Sequence, residues 1–300
     1  MATRPPSART SSVRTQKTKR SATAAPSRSG GSGLRWGRWM LLGWLLTVVW
    51  LSVEYARLPD VAPLLKSNPR STSLMAQRAE EARDEGLRPR QRQSWVALSS
   101  VAPHAVAAVL VSEDARFYQH AGVDWVEVQN ALGDALAEGR LGRGASTLTQ
   151  QLAKNLYLST DRSLLRKAKE LLLARRLEET LPKQRILALY LNVVEWGEGV
   201  YGIEAAAREH FGVPARSLSV AQAAVLAGML PAPRTWLPAR KPPTLHKRAA
   251  AIVERLEQAG HITPQQAAEA RAELGRFFGV PTAPATVAEA IAALADRPAP

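Results

Sequence analysis

Residues 113–124 read EDARFYQHAGVD, and residues 144–155 read GASTLTQQLAKN. The first stretch places two carboxylates, Glu113 and Asp114, beside aromatic residues and a histidine, and it ends in a glycine turn. The second contains hydroxyl, amide and lysine side chains at helical spacing, where a core helix would contain leucine and valine. Buried polar groups need hydrogen-bond partners, and a polar ligand is the simplest partner. The two stretches therefore indicate a polar binding site built on helices.

Helical periodicity extends from these stretches through most of the chain. The segments that we predict to be helical are residues 73–85, 101–113, 150–158, 163–181, 186–194, 203–210, 220–230 and 245–259. Strand-like alternation of apolar and polar residues is not evident, so we expect a mainly α fold. Glycine and proline residues at 139–144, 197–202 and 231–243 predict loops around a cleft.

The N-terminal region combines a basic tail with an apolar segment. Residues 1–38 carry nine of the 40 Lys and Arg residues and none of the 26 acidic ones. Residues 39–53 are uncharged, and extending this segment to 34–54 approaches the roughly 20 residues that span a bilayer. A signal peptide has the same pattern, but no small-x-small cleavage site follows, which favours an uncleaved anchor. The basic flank would keep the N-terminus cytoplasmic and place the rest of the chain in the periplasm.

Composition predicts the remaining domain boundaries. We expect a disordered cytoplasmic tail (1–33), a transmembrane anchor (34–54), a connector (55–94), a catalytic domain (95–280) and an Ala/Pro-rich tail (281–300). Cysteine is absent, which excludes disulfides, Cys-ligated zinc and a thiol nucleophile. No HExxH motif, HxH motif or carboxylate cluster at metal-ligand spacing occurs, so we expect no dedicated metal site. The net charge of +14 lies largely in the tail and is not accompanied by a DNA-binding motif.

Glu113 is the first catalytic candidate. It follows the apolar run AAVLVS and precedes Phe117, so we expect apolar surroundings that suit a general base, although an isolated ED pair usually faces solvent. His120 is expected to be a structural hydrogen-bonding residue. Lys154 follows amides and hydroxyls, an arrangement that suits a phosphate or pyrophosphate. Because residues 144–155 lack the GK[ST] ending of a Walker loop, nucleotide binding is not implied.

A third polar stretch lies within an apolar helix. Residues 161–178 read DRSLLRKAKELLLARRLE, and Arg162, Arg166 and Glu170 are spaced by four residues, which places them on one helix face. Taken alone, this stripe is typical of a solvated face with ion pairs. Two further stretches, RILALYLNVVEWGEGVYG at 185–202 and LSVAQAAVLAGMLPAP at 218–233, are mostly apolar, and we interpret the last as structural support.

Together, the five stretches resemble the motifs of peptidoglycan glycosyltransferases, the polymerase domain of class A penicillin-binding proteins and of their monofunctional relatives. They occur in the family's order across roughly half of the chain, and RKAKE matches the third motif. About 60 residues follow Leu237, without Ser-x-x-Lys or Lys-Thr-Gly, so the sequence resembles the monofunctional form, which has no transpeptidase domain. The resemblance implies a lysozyme-like helical domain with a smaller membrane-proximal lobe. It also implies polymerisation of lipid II into β-1,4-linked glycan, with inversion and release of undecaprenyl pyrophosphate.

The same resemblance implies roles for individual residues. Glu113 would take the proton from the 4-hydroxyl of the acceptor sugar, and Glu170 would be a second essential carboxylate. Lys154 and Arg166 would hold the donor's pyrophosphate and offset the charge that grows on it. The other residues expected to bind substrate are Asp114, Ser146, Thr147, Gln150, Gln151, Asn155, Arg162, Lys167, Arg185, Tyr190 and Asn192.

Two other functions are compatible with the sequence. A lysozyme-like lytic enzyme would share the fold and one glutamate but would cleave glycan, and a membrane-tethered scaffold would bind lipid pyrophosphates or cell-division proteins without catalysis. The expected partners of a glycosyltransferase are lipid II, the nascent glycan strand, the inner membrane and cell-division or penicillin-binding proteins, with no nucleic acid. No cofactor is evident; a divalent cation, Mg²⁺ or Mn²⁺, is compatible with a pyrophosphate substrate, although the sequence contains no legible ligand set.

Overall fold

A computed structural model describes residues 32–138, 146–161 and 163–280. The predicted C-terminal tail, nearly all of the predicted N-terminal tail, and Arg162 lie outside the described residues. The chain divides into two compact units, residues 1–52 and residues 53–300.

The described part of the first unit is helical. Helix α1 (Ser32–Ala56) begins in this unit and contains the predicted anchor segment. Its residues from Trp36 to Ala56 have a mean hydropathy of 1.4, and it is the one helix among the described residues that is long and apolar enough to cross a membrane. The sequence prediction of an N-terminal apolar helix is therefore confirmed.

The second unit is built from ten helices within its described residues, so the mainly α prediction is confirmed. They are α2 (Ser73–Asp84), α3 (Pro103–Glu113), α4 (Trp125–Glu138), α5 (Leu148–Tyr157), α6 (Leu164–Thr180), α7 (Lys183–Val193), α8 (Ile203–Phe211), α9 (Val220–Met229), α10 (Pro243–Gln258) and α11 (Pro264–Phe278). Two strands of two residues each, β1 (Arg92–Gln93) and β2 (Val200–Tyr201), pair in parallel. The strands, α4 and α11 were not among the predicted elements.

Hydroxyl side chains begin the two helices that carry most of the predicted site. Thr147 Oγ1 accepts a hydrogen bond from Gln150 N at the start of α5 (3.3 Å). Ser163 Oγ accepts one from Arg166 N at the start of α6 (3.1 Å). Such caps satisfy backbone N–H groups that have no partner within the helix. They fix the position at which each polar stretch enters its helix.

The core holds the site elements against one another. Helix α9 is apolar on all sides and packs against α3, α10 and α11, which confirms the prediction that the fifth stretch is structural. Helix α5 packs against α2, α6 and α7. The end of α3 meets the start of α5 through Asp114, the residue after Glu113, which accepts a hydrogen bond from Leu148 N.

The segment predicted to be a connector is part of this body. Val61 and Met75 are buried in the core. Arg176 on α6 donates to the backbone oxygens of Tyr55 and Leu58 (3.2 and 3.1 Å). Gly199, at a φ of 67°, lies so close to Arg90 that a Cβ would overlap the Arg90 carbonyl. Residues 55–94 thus brace the helices rather than only link them to the anchor.

Candidate active site

A cleft of about 650 Å³ opens where the end of α3, the start of α5 and α10 meet. Five of the residues predicted from the sequence line it: Glu113, Asp114, Ser146, Thr147 and Gln151. Its charged lining also includes residues outside the predicted set, namely Arg116, Asp124, Glu127, Arg248 and Arg255. A cleft of this size, with several converging polar groups, is suited to a polar substrate.

Glu113 is the last residue of α3, and its carboxylate is held by polar groups. Gln151 Nε2 donates to Oε2 (3.0 Å), and Ser112 Oγ donates to Oε1 (3.2 Å). Arg248 on α10 places a guanidinium nitrogen 3.7 Å from Oε1. The surroundings are thus more polar than the sequence predicted, because the helix ends at Glu113 and turns the carboxylate towards α5 and α10. The side chain is mostly buried but lines the cleft, so a substrate can reach it.

Asp114 is buried and connects three parts of the site. Its Oδ2 accepts a hydrogen bond from Leu148 N at the start of α5 (2.9 Å), and its Oδ1 lies 2.9 Å from His120 Nε2. Gly122 N donates to His120 Nδ1 (3.2 Å), so the ring proton lies on Nε2 and is donated to Asp114. His120 is therefore the structural hydrogen-bonding residue that the sequence predicts.

The fold gathers a cluster of metal-ligand residue types that the sequence spacing did not reveal. One potential ligand atom each from Asp114, His120 and Asp124 lies within 4.8 Å of the others. Both nitrogens of His120 are engaged, as above, and Asp124 Oδ1 accepts hydrogen bonds from Val126 N (3.0 Å) and Glu127 N (3.1 Å). The remaining oxygen of Asp124, Oδ2, lies 3.2 Å from the Arg116 guanidinium. A metal would have to displace the His120 bonds and this cation, so the cluster as folded does not fit one.

Side chains from α5 and from the start of α6 form a cationic cluster, which we define as Lys154 on α5 and Arg166 and Lys167 on α6. Glu170, which is 3% exposed, accepts a hydrogen bond from Arg166 Nη1 on Oε2 (2.6 Å) and another from Lys167 Nζ on Oε1 (2.5 Å). Lys167 Nζ also donates to Ser146 Oγ (3.0 Å). Because Ser146 lines the cleft, this bond joins the cationic cluster to the space beside Glu113.

Lys154 is the third member of the cluster. Burial lowers the pKa of Lys154, the nearby Glu170 charge acts in the opposite direction, and the charges of Arg166, Lys167 and Arg78 lower it further. Within the described part of the chain, Lys154 forms no ion pair. A half-buried ammonium surrounded by other cations is suited to an anionic ligand, because the negative charge of the ligand stabilises the charged form of the lysine.

Other residues of the second stretch build the wall behind the cleft. Gln150 Nε2 and Thr147 Oγ1 both donate to the Gly122 carbonyl (3.1 and 2.7 Å), and Gln150 Oε1 accepts from Lys167 Nζ (3.0 Å). Asn155 is buried on the same helix. The Thr147 and Gln150 side chains fix α5 to the glycine turn of the first stretch, so their hydroxyl and amide groups are already partnered inside the protein.

Two predicted site residues lie elsewhere. Arg185 donates to the backbone oxygens of Leu64 (2.6 Å) and Ser67 (2.8 Å) and to Asn68 Oδ1 (2.9 Å), and burial lowers its pKa. Asn192 Nδ2 and Oδ1 bond to the backbone of Val96 (3.0 and 2.9 Å). Both side chains therefore hold residues 64–96 against α7 in this structure. Tyr190 is fully buried, and its hydroxyl donates to Gln151 Oε1 (2.9 Å).

The sequence analysis missed Arg248. This residue faces Glu113, donates through Nε to the Gly228 carbonyl (3.1 Å) and lies 5.6 Å from the centre of the Trp236 ring. It lies on the polar side of an ordinary amphipathic helix, outside the five stretches. Only the packing of α10 against α3 brings it to the cleft.

Known proteins are similar to this chain in sequence. A family model described as "Transglycosylase" matches residues 80–257. A biosynthetic peptidoglycan transglycosylase of Rhodospirillum centenum is 45% identical over 217 residues, which cover 72% of this chain and 87% of the relative. Its counterpart in Nitrosospira multiformis is 42% identical over 192 residues, covering 64% and 84%. Penicillin-Binding Protein 1A from Haemophilus influenzae gives a TM-score of 0.38 at 21% identity over 62% of this chain and 18% of that one.

A mainly helical body with buried carboxylates at a cleft and a cationic cluster beside it defines the class: an enzyme whose site suits an anionic ligand. The family match, which covers more than half of the chain, and the sequence identities then make the assignment. The chain belongs to the transglycosylase family.

Proposed function

We propose that the chain is an inverting peptidoglycan glycosyltransferase that polymerises lipid II into β-1,4-linked glycan and releases undecaprenyl pyrophosphate. The observation that carries this proposal is the Ser146 bridge. Ser146 lines the cleft that contains Glu113 and accepts a hydrogen bond from Lys167 of the cationic cluster. A carboxylate base and a group of cations are thereby placed on adjoining surfaces, as transfer from a sugar pyrophosphate requires.

The reaction uses the two groups at opposite ends of one displacement. The 4-hydroxyl oxygen of the acceptor sugar attacks the anomeric carbon of the donor, and its proton passes to Glu113. The bond between the anomeric carbon and the pyrophosphate oxygen breaks, and that oxygen keeps the electron pair. The cationic cluster stabilises the charge that develops there. A glycosidase needs a protonated carboxylic acid for its poorer leaving group, whereas a pyrophosphate leaves with cations alone.

Glu170 has a different task from Glu113. It is almost fully buried, and each of its oxygens accepts a hydrogen bond from a different cation. We assign to Glu170 the orientation of Arg166 and Lys167. The three N–H groups of Lys167 are taken by Ser146, Gln150 and Glu170, so Lys167 contributes its charge. Arg166 uses Nε and Nη1 within the protein and can direct Nη2 at the phosphate oxygens. A fixed guanidinium can donate to two oxygens at once, which a mobile one does less well.

Exposed apolar side chains support a position next to a membrane. Trp125, Leu132 and Leu136 on α4 are 68%, 58% and 79% exposed, and Leu164 on α6 is 90% exposed. Large apolar side chains exposed in this way are suited to lipid or to the polyprenyl chain of the donor. We propose a single-pass protein of the inner membrane, with a cytoplasmic N-terminus and a periplasmic catalytic body. Lipid II and the growing strand are its proposed substrates, and cell-division or penicillin-binding proteins are proposed as partners.

The test is an assay of the purified full chain with labelled lipid II and, separately, with preformed glycan. A glycosyltransferase makes polymer and releases about one undecaprenyl pyrophosphate for each disaccharide that is added, because each transfer breaks one such bond. Shortening of the preformed glycan without consumption of lipid II would identify a lytic enzyme instead. Binding of lipid II without either product would identify a scaffold, and both of these results would overturn the proposal.

A further inference from the structure

Three side chains from three helices form a hydrogen-bonded relay that ends on the proposed base. Tyr190 on α7 donates its hydroxyl proton to Gln151 Oε1 on α5 (2.9 Å). Gln151 Nε2 in turn donates to Glu113 Oε2 on α3 (3.0 Å). Tyr190 has no solvent-exposed surface, so it cannot touch a substrate in the cleft. We define these three residues as the relay.

The chemistry of the groups fixes the direction of both bonds. A charged carboxylate only accepts hydrogen bonds, so the Gln151 amide must present its NH₂ group to Glu113 and its oxygen to Tyr190. The Tyr190 hydroxyl must therefore donate. Burial raises the pKa of Tyr190 well above its usual value, and the negative charges of Glu113 and Asp114 act in the same direction, so the phenol keeps its proton.

The two oxygens of Glu113 consequently have different surroundings. Oε2 accepts the amide N–H, whose position is set by Tyr190. Oε1 has the longer contact with Ser112 Oγ (3.2 Å) and faces Arg248 at 3.7 Å. We propose that Tyr190 is a positioning residue which, through Gln151, holds Oε2 as a fixed acceptor and leaves Oε1 to take the proton from the acceptor hydroxyl. This inference rests on the proposed function of Glu113.

Loss of the Tyr190 hydroxyl should therefore act on catalysis without removing any substrate contact. In Tyr190→Phe, the Gln151 amide loses the partner that orients it and can turn its oxygen towards the carboxylate. The charged form of Glu113 then loses a stabilising hydrogen bond, and Oε2 is no longer held as a fixed acceptor. The other charged groups around the cleft are unchanged in this variant: Asp114 and Arg116 after α3, Asp124 and Glu127 at the start of α4, and Arg248 and Arg255 on α10.

The experiment measures lipid II polymerisation by the full chain across a pH series for four variants and wild type. In Tyr190→Phe we expect kcat to fall about tenfold and KM to stay the same. Tyr201→Phe is the matched control, because Tyr201 is equally buried but lies outside the relay. The Tyr201→Phe variant should have the kcat and KM of wild type at each pH. In a protein that already carries Gln151→Ala, adding Tyr190→Phe should cause no further loss of kcat, because Tyr190 acts on Glu113 only through the Gln151 amide.

Each alternative gives a different result. An increase in KM with unchanged kcat would make Tyr190 a substrate-binding residue and overturn the inference. The inference would also be overturned if the rate losses of Gln151→Ala and Tyr190→Phe multiply in the double variant. Multiplied rate losses mean that the two changes act independently, as they would if each only destabilised the fold. Melting temperatures of both tyrosine variants check that the fold is intact. Retained turnover in Glu113→Gln would instead refute the proposed function itself, which keeps the two failures distinct.

Discussion

Glu170 organises the cationic cluster at the scale of single residues. A carboxylate buried to this degree is stable only when its charge is compensated, and Arg166 and Lys167 both supply that compensation. The two ion pairs with Glu170 hold Arg166 and Lys167 close to each other, although their positive charges repel. A donor pyrophosphate therefore meets cations whose arrangement exists before it binds, which reduces the cost of reorganisation in the transition state.

Charge-removing changes in the cationic cluster should weaken donor binding and turnover together. We expect Lys154→Ala and Arg166→Ala each to lower turnover by about tenfold or more, because the charge that they face increases as the pyrophosphate leaves. Arg166→Lys should also lose most of the activity, since an ammonium does not reproduce the guanidinium fork. Lipid II binding and polymerisation rates measure both effects.

Arg175→Ala is the control for this series. Arg175 lies on the same helix, is exposed and pairs with Glu179 rather than with Glu170. Its removal changes the net charge equally and should leave both measurements nearly unchanged. Equal losses from Arg175, Lys154 and Arg166 would mean that only the general positive field matters, and the assigned role of the cluster would be wrong.

The sequence predicted much of the chemistry of the site but not all of its geometry. Glu113, Gln151, Lys154, Arg166 and Glu170 belong to stretches in which polar residues replace expected core residues, and this signal is visible without a structure. Which partner each side chain takes is not visible in this way. Nothing in the spacing distinguishes a polar side chain that faces the cleft from one that holds the connector, as the positions of Arg185 and Asn192 illustrate.

At the scale of elements, the helices with a clear apolar stripe were predicted within a few residues. Helix α4 was missed although Val128, Leu132 and Ala135 stand at helical spacing, so the signal was present in its sequence. In the structure its largest apolar side chains, Trp125, Leu132 and Leu136, are exposed rather than packed in the core. Helix α11 is rich in alanine but begins with a capping box between Thr263 and Gln266, a signal that the sequence analysis could have used. Strands β1 and β2 are too short for any periodicity, and their pairing depends on tertiary contacts.

The close approach of Gly199 to Arg90 gives a prediction for the β1–β2 junction. Gly199→Ala should destabilise the fold by about 3 kcal/mol or more, because it adds both positive-φ strain and overlap with the Arg90 carbonyl. Gly260→Ala is the matched control, with a φ of 70° and open space around its Cβ, and should cost about 1 kcal/mol. Thermal unfolding of the two variants measures the difference. Similar losses in both would show that the junction adapts and that the contact is unimportant.

At the scale of the whole molecule, the basic tail and α1 give a prediction about topology. Positively charged flanks stay on the cytoplasmic side, so a reporter fused to the C-terminus should be active only in the periplasm. N-terminal sequencing of the membrane-bound protein should find the original N-terminus. A mature chain that begins after Val53 would identify the apolar segment as a cleaved signal and contradict the anchor.

The most direct test of the account is the turnover of Glu113→Gln with lipid II in reconstituted membranes. The amide has the same shape but cannot accept the proton, so we expect polymer formation to fall by at least about 10², while the melting temperature and lipid II binding stay close to wild type. Glu269→Gln, a change of an exposed carboxylate on α11 that pairs with Gln265, should retain full activity. Near-normal turnover of Glu113→Gln would contradict the central claim that this carboxylate is the base.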